Sequence, residues 1–209
     1  MKRIGLTQRV DIISSHGERR DALDQQWYSL LFEMNMLPVP LPNLSPEYAV
    51  NLVEELQLDG ILFTGGNSLC HLDEQANDRA PERDAFELSL IDYAFKNELP
   101  IFGVCRGMQI INNYFSGELQ PVQGHIAEIH RILPVGDSIQ LPRKVNSFHR
   151  WAVAQNGLGK NLKPIAIDAE GNIEAYLHLT KKIAGIMWHP ERVNGFDALD
   201  LDFMKRVLL

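Results

Sequence analysis

Cysteine is scarce in this sequence: Cys70 and Cys105 are the only two in 209 residues. So few exclude a disulfide-stapled scaffold, and a chain of this length buries enough core not to need one. Long apolar runs are also missing. No stretch approaches the roughly 18–20 apolar residues that span a bilayer. Lys2 and Arg3 open the chain, but no apolar run follows them, so no signal peptide is expected. Positive charge is in deficit, with 20 Lys and Arg against 27 Asp and Glu and a net charge of −7, which leaves no nucleic-acid footprint. A local arginine cluster can still oppose the global sign, so an anionic substrate stays open. There is no internal repeat, no low-complexity tract and no linker long or polar enough to divide the chain. These absences lead to the expectation of a single cytoplasmic domain over residues 1–209, with neither nucleic acid nor membrane as partner.

What is present alternates. Residues 2–9 read as a strand. Leu23, Trp27, Leu30, Leu31 and Met34 then follow at helical spacing, in a helix that ends before Pro38. PVPLP (38–42) suits an outer strand, and Ser45–Pro46 opens a helix over 45–56. GILFTGG (60–66) is a buried strand and turn, and 67–82 is a loop able to cover a site. In the helix expected over 83–98, Phe86, Leu90, Tyr93 and Ala94 share one face. PIFGVC (100–105) is again a strand, and 106–117 a helix closed by Gly117. Short strand-like runs fill 130–188, and 197–209 forms a closing helix. The expected class is therefore α/β: a mostly parallel central sheet flanked by helices, with a short antiparallel addition in the C-terminal half.

In such a sheet ligands bind at the carboxyl ends of the strands. Three suggestive stretches fall there: FTGGN at 63–67, GVCRG at 103–107 and MWHPE at 187–191. Gly103 and Gly107 flank Cys105, as a sharp strand-to-helix turn requires. The positive end of the following helix favours a thiolate, and an adjacent imidazolium adds to that. The N–H of Arg106 and the backbone at Gly65–Gly66 are candidate oxyanion donors. Pro190 keeps His189 extended, so His189 and Glu191 can lie on one side, with the carboxylate fixing the imidazole. Together they make a nucleophile, a base and an orienting carboxylate suited to acyl transfer through a thioester. Cys70 has no comparable frame. His125 and His130 are spaced H-x4-H with no third ligand apparent, so they read as ordinary loop histidines, and no metal or cofactor is assigned.

GVCRGMQ, FTGGN, RDAFE and GIMWHPE resemble the class I glutamine amidotransferase-like superfamily. The closest likeness is to its γ-glutamyl hydrolase branch, peptidase family C26. The resemblance runs from residue 4 to about 192 and implies a flavodoxin-like fold. It implies Cys105 as nucleophile, His189 as base, Glu191 as its partner, and Gly66 and Arg106 as backbone donors. Asn67, Gln109, Ser147 and His149 match positions on the glutamyl side. Arg150 and Trp151 stand where members commonly have histidine and glutamine, and the chain is shorter than the polyamine-pathway hydrolases. These departures point to a different leaving amine. The compact length and the GLTQR start are similar to hydrolases that cleave γ-glutamyl-CDP-amidate in capsule-polysaccharide synthesis. Arg150 suits phosphate and Trp151 a base, and Arg79 and Arg83 are further candidates for phosphate. The expected substrate is thus a small γ-glutamyl amide of the γ-glutamyl-CDP-amidate type, hydrolysed through a Cys105 thioester. A γ-glutamyl-γ-aminobutyrate-type substrate is the nearest rival. Two more distant readings are a glutaminase that delivers ammonia to a partner synthetase and a non-catalytic binding module. Self-association into a homodimer is left open.

Overall fold

The computed structural model describes residues 1–136 and 139–209. Its first half runs β1 Lys2–Thr7, β2 Arg9–Ile13, β3 Glu18–Ala22, α1 Gln26–Glu33, β4 Met36–Leu41, α2 Ala49–Glu55, β5 Gly60–Phe63, α3 Pro81–Lys96, β6 Ile101–Val104 and α4 Arg106–Tyr114. The second half runs β7 Gln120–Pro121, β8 Ile126–Arg131, β9 Leu133–Pro134, β10 Lys144–Phe148, β11 Trp151–Ala152, β12 Leu162–Ile167, β13 Ile173–His178, β14 Ile183–Ile186 and α5 Ala198–Leu208.

One sheet of eight strands organises the molecule, in the order β4-β1-β5-β6-β14-β13-β12-β9. From β4 to β14 neighbours are parallel, and beyond β14 they are antiparallel. The side chains of a strand alternate between faces, and the apolar runs of β5 and β6 supply both. Leu62, Phe102 and Val104 pack with Trp27, Leu30 and Leu31 of α1 and Phe203, Met204 and Val207 of α5. Ile61, Phe63 and Ile101 pack on the opposite face with Phe86, Leu90 and Ala94 of α3 and Met108 and Ile111 of α4. The prolines of β4 are accommodated because β4 is an edge strand, paired among the described residues with β1 alone.

Some expectations shift in detail. Leu23 lies ahead of α1 rather than in it. The β2–β3 hairpin was not anticipated; its strands carry mostly charged, exposed side chains, and its pairing is local. Helix α4 stops at Tyr114, and the residue that takes the left-handed conformation is Ser116 (φ 63°), not Gly117. Gly117 is needed for space instead, since a Cβ there would stand 2.3 Å from Asn112 Nδ2. The antiparallel part is also larger than a short addition: it extends the main sheet by three strands, and β7/β11 and β8/β10 form separate two-stranded pairs.

Candidate active site

The strand order makes β5, β6 and β14 consecutive neighbours. Their carboxyl ends deliver Thr64–Gly66, Cys105 and His189 from stretches 40 to 125 residues apart in sequence into one place. Hydrogen bonds hold these ends: Cys105 N–H donates to Ile186 O at 2.8 Å, and the Thr64 hydroxyl donates to Thr7 O at the end of β1 at 2.7 Å.

Cys105 occupies φ 53°, ψ −107° immediately before α4. That region is sparsely populated for a residue with a Cβ and costs on the order of 1–3 kcal/mol. Packing holds it there, because residues 106–112 of α4 are all buried. A Cβ on Gly107 would come within 2.0 Å of Phe63 O, and one on Gly103 within 2.5 Å of Gly107 C. The glycines around Cys105 therefore let α4 seat directly on the ends of β5 and β6.

His189 is 1% exposed and Glu191 2% exposed. The His189 ring places Nδ1 2.6 Å from Glu191 Oε1, and Cys105 lies near enough for its charge to act on the imidazole. Burial alone lowers the affinity of the imidazole for its proton. The charge of Cys105 and the carboxylate of Glu191 outweigh burial and push His189 up to about 9. Two further contacts fix the ring. Asn146 of β10 clasps the His189 backbone, accepting from its N–H and donating to its carbonyl, both at 2.8 Å. Gly65 leaves the ring its space, since a Cβ there would stand 2.6 Å from His189 Cε1.

Behind the Gly65–Gly66 turn lies a buried ionic network. Arg83 is fully buried and donates to Thr64 O (2.8 Å), Gly65 O (3.1 Å), Gly66 O (2.6 Å), Asn67 Oδ1 (3.1 Å) and Glu87 Oε1 (2.8 Å). Arg106 donates to Glu87 and Asp84. Burial and the neighbouring Arg106 lower Arg83 to about 10. Burial would raise Glu87, but the two guanidiniums hold it below the usual carboxylate range. With three consecutive carbonyls drawn toward Arg83, the peptide N–H groups of that turn are oriented away from it.

The remaining predicted residues divide. Gln109 donates to Trp151 O at 3.0 Å, one helical turn beyond Cys105. The Asn67 side chain is engaged by the framework, donating to Val10 O and Asp78 O and accepting from Val10 N and Arg83. Ser147 and His149 are buried; Ser147 Oγ donates to His125 O at 2.9 Å, and His149 Nδ1 faces Trp151 O at 3.1 Å. Arg150 is exposed and Trp151 half-buried. Arg83, expected as a phosphate contact, is spent on the turn. Arg79 donates to Glu74 O. Sequence reasoning also missed Asn146 and the Asp84–Glu87–Arg106 cluster. Their one visible signal was the i, i+4 pair Arg83/Glu87 beside the apolar Phe86–Leu90 face. A cavity of about 270 Å³ adjoins the turn, lined among others by Arg9, Asp11, Trp27, Gly66 and Arg192. Arg192 stacks over Phe148, 4.8 Å from the ring centroid.

Comparison with known proteins identifies the family and the fold. The family model Peptidase C26 matches residues 4–134 and 136–191. A γ-glutamyl-CDP-amidate hydrolase of Campylobacter jejuni is 31% identical over 203 residues, covering 95% of this chain and 94% of that protein. A γ-glutamyl-γ-aminobutyrate hydrolase of Escherichia coli O157:H7 is 26% identical over 206 residues, covering 84% and 80%. Among solved structures, a glutamine amidotransferase of Thermotoga maritima matches 91% of this chain and 76% of its own, with a TM-score of 0.66 at 15% identity, a likeness of fold.

Proposed function

This chain belongs to the peptidase C26 family, hydrolases that act on γ-glutamyl amides, and from that premise we propose that it cleaves a γ-glutamyl nucleotide amidate of the γ-glutamyl-CDP-amidate type through a thioester on Cys105. The observation that carries the mechanism is the strained Cys105 at the head of α4, beside a buried His189 that Glu191 holds by its Nδ1. Cys105 attacks the γ-carbonyl. Its oxyanion is received by the N–H groups of Gly66 and Arg106. His189 gives its proton to the departing nitrogen, then takes one from water as water attacks the thioester and releases glutamate. No step calls on a cofactor or a partner synthetase. The domain is proposed to work as one unit over residues 1–209.

Support for the nucleotide comes from the near full-length likeness to the Campylobacter enzyme. Gln109, through Trp151 O, ties the residue after Arg150 to the helix that bears Cys105. Exposed Arg150 and half-buried Trp151 then offer a cation and a flat ring at the rim. No helix among the described residues is long and apolar enough to cross a membrane, in keeping with a small diffusing substrate. The likeness to the E. coli hydrolase favours γ-glutamyl-γ-aminobutyrate as the second substrate to test. A glutamate-release assay on γ-glutamyl-CDP-amidate, γ-glutamyl-γ-aminobutyrate, glutamine and γ-glutamyl peptides decides between them. The nucleotide amidate should give the highest kcat/KM, and Arg150→Ala should raise KM for it alone. Glutamine cleaved best would overturn the hydrolase reading in favour of a glutaminase that delivers ammonia to a synthetase, and an unchanged KM would remove Arg150 from the site.

A further inference from the structure

Beside the catalytic groups, but apart from them, the fold buries a second set of titratable side chains. The β8–β10 hairpin meets β13 there. His125 stands just before β8, His149 just after β10, and Glu174 projects from β13 of the main sheet. They are 6%, 4% and 1% exposed. The rings of His125 and His149 have centroids 4.8 Å apart. One ligand atom from each of His125, His149 and Glu174 falls within 4.8 Å of the others. His130, Asp168, Glu170 and Ser147 surround them.

The hydrogen-bond accounting at this place does not close. His149 Nδ1 faces a carbonyl, Trp151 O, at 3.1 Å, and only an N–H can serve that contact. The other nitrogen, Nε2, is then a bare lone pair. It lies 3.7 Å from Glu174 Oε1, which is itself an acceptor. Both atoms are buried and neither has a hydrogen-bond partner among the described residues. His130 Nε2 lies 3.3 Å from the other Glu174 oxygen but is not aligned to bond it. Two buried acceptors facing each other need a proton or a metal cation between them, and the imidazole of His125 beside them completes a set of metal ligands.

We propose that His125, His149 and Glu174 form a site for a divalent transition metal of the zinc type. Two imidazoles and a carboxylate are a common zinc ligand set, with a fourth position for water. Ligands about 2.05 Å from a tetrahedral centre stand roughly 3.4 Å apart, close to the separation of His149 Nε2 and Glu174 Oε1. The Nδ1–H to Trp151 O contact is the outer hydrogen bond that fixes the tautomer of a ligating histidine. The site sits where it can brace the catalytic groups. Trp151 O also receives Gln109, and Glu174 O accepts from Met187 N–H at 2.8 Å, two residues before His189. The same hairpin carries Asn146, which clasps His189. The metal would thus lock the hairpin and the β14 end to each other.

The test uses the Cys105→Ala protein, so that the catalytic thiol cannot bind metal. After chelator stripping it should take up about one Zn²⁺ per chain by elemental analysis, raise its thermal midpoint on Zn²⁺ addition, and give visible absorption bands with Co²⁺. In Glu174→Gln the amide fits the same space and donates to His149 Nε2, so the protein should stay folded. Its zinc affinity should be at least about 100-fold weaker, and its midpoint should not respond. The proposal is overturned if the Cys105→Ala protein binds no zinc and its midpoint ignores it, which would mean a proton on Glu174 bridges the pair. It is equally overturned if Glu174→Gln binds zinc within about threefold of its parent.

Discussion

Replacing Arg83 with methionine removes the one group that holds the Thr64–Gly66 turn from behind. Met fills much of the arginine's volume but donates nothing. Three carbonyls, Thr64 O, Gly65 O and Gly66 O, lose their donor, and Glu87 loses one of its two guanidinium partners and keeps Arg106. Removing one partner of a buried ion pair costs about 3–5 kcal/mol, and each buried acceptor left bare costs about 1–3 kcal/mol. These contributions share one network and do not add. The middle of the ion-pair range, about 4 kcal/mol, is the expected cost. For a chain of this size each kcal/mol moves the thermal midpoint by about 2–4 °C, so a fall of about 8–16 °C is expected by calorimetry. The turn also supplies the Gly66 N–H. Freed from Arg83, it should lose its aim, with kcat falling about 100- to 1,000-fold while KM changes less. Arg83→Lys retains the charge without the fork and should fall between. An Arg83→Met protein with its midpoint within about 2 °C of the parent and kcat within about threefold would refute the reasoning.

Three more outcomes are open to direct measurement. Cys105→Gly removes a Cβ from φ 53° and should be inactive yet at least as stable as the parent in denaturant titration; a clear loss of stability would mean that the elbow is not strained. Glu191→Gln takes away a carboxylate that helps push His189 up to about 9, so the alkaline limb of the kcat/KM profile should move to lower pH; a limb that stays near 9 would separate Glu191 from the imidazole. Asp200 accepts from Trp188 Nε1 at 2.9 Å, and burial, with Asp197 and Glu191 nearby, raises it to about 7. Its folded value exceeds the unfolded one of about 3.9, so the stability it contributes is present below about pH 4 and is lost as pH rises to about 7. Asp200→Asn keeps the acceptor and should be more stable than the parent at pH 8 but not at pH 4, by a margin of a few kcal/mol; equal denaturation midpoints at both pH values would refute this.

The parts of this molecule that were legible beforehand are those written in local pattern. The apolar runs at 60–63 and 101–104 and the glycine frame of Cys105 gave the parallel sheet and its elbow, because buried strands and tight βα turns constrain nearby residues. Pro190 likewise made His189 and Glu191 readable as a pair. What stayed hidden depends on pairing at long range. Asn146 looks like any polar strand residue until β10 is laid against His189. Arg83 reads as a helix-borne cation free to meet a phosphate. Only the arrival of three carbonyls from the end of β5 makes it a buried clamp. His125 lacked a third ligand because the other two, 24 and 49 residues later, come from the end of β10 and from β13. The Asn67 side chain was readable as a polar group near the turn, but not as one whose bonds the β2 backbone and Arg83 already take.

The thioester on Cys105 is open to direct observation. The protein is mixed with γ-glutamyl-CDP-amidate, quenched in acid during turnover, and its digest weighed by mass spectrometry. One glutamyl group should appear on the peptide carrying Cys105, and both the adduct and glutamate release should vanish in Cys105→Ala. Glutamate release that persists in Cys105→Ala would contradict the account.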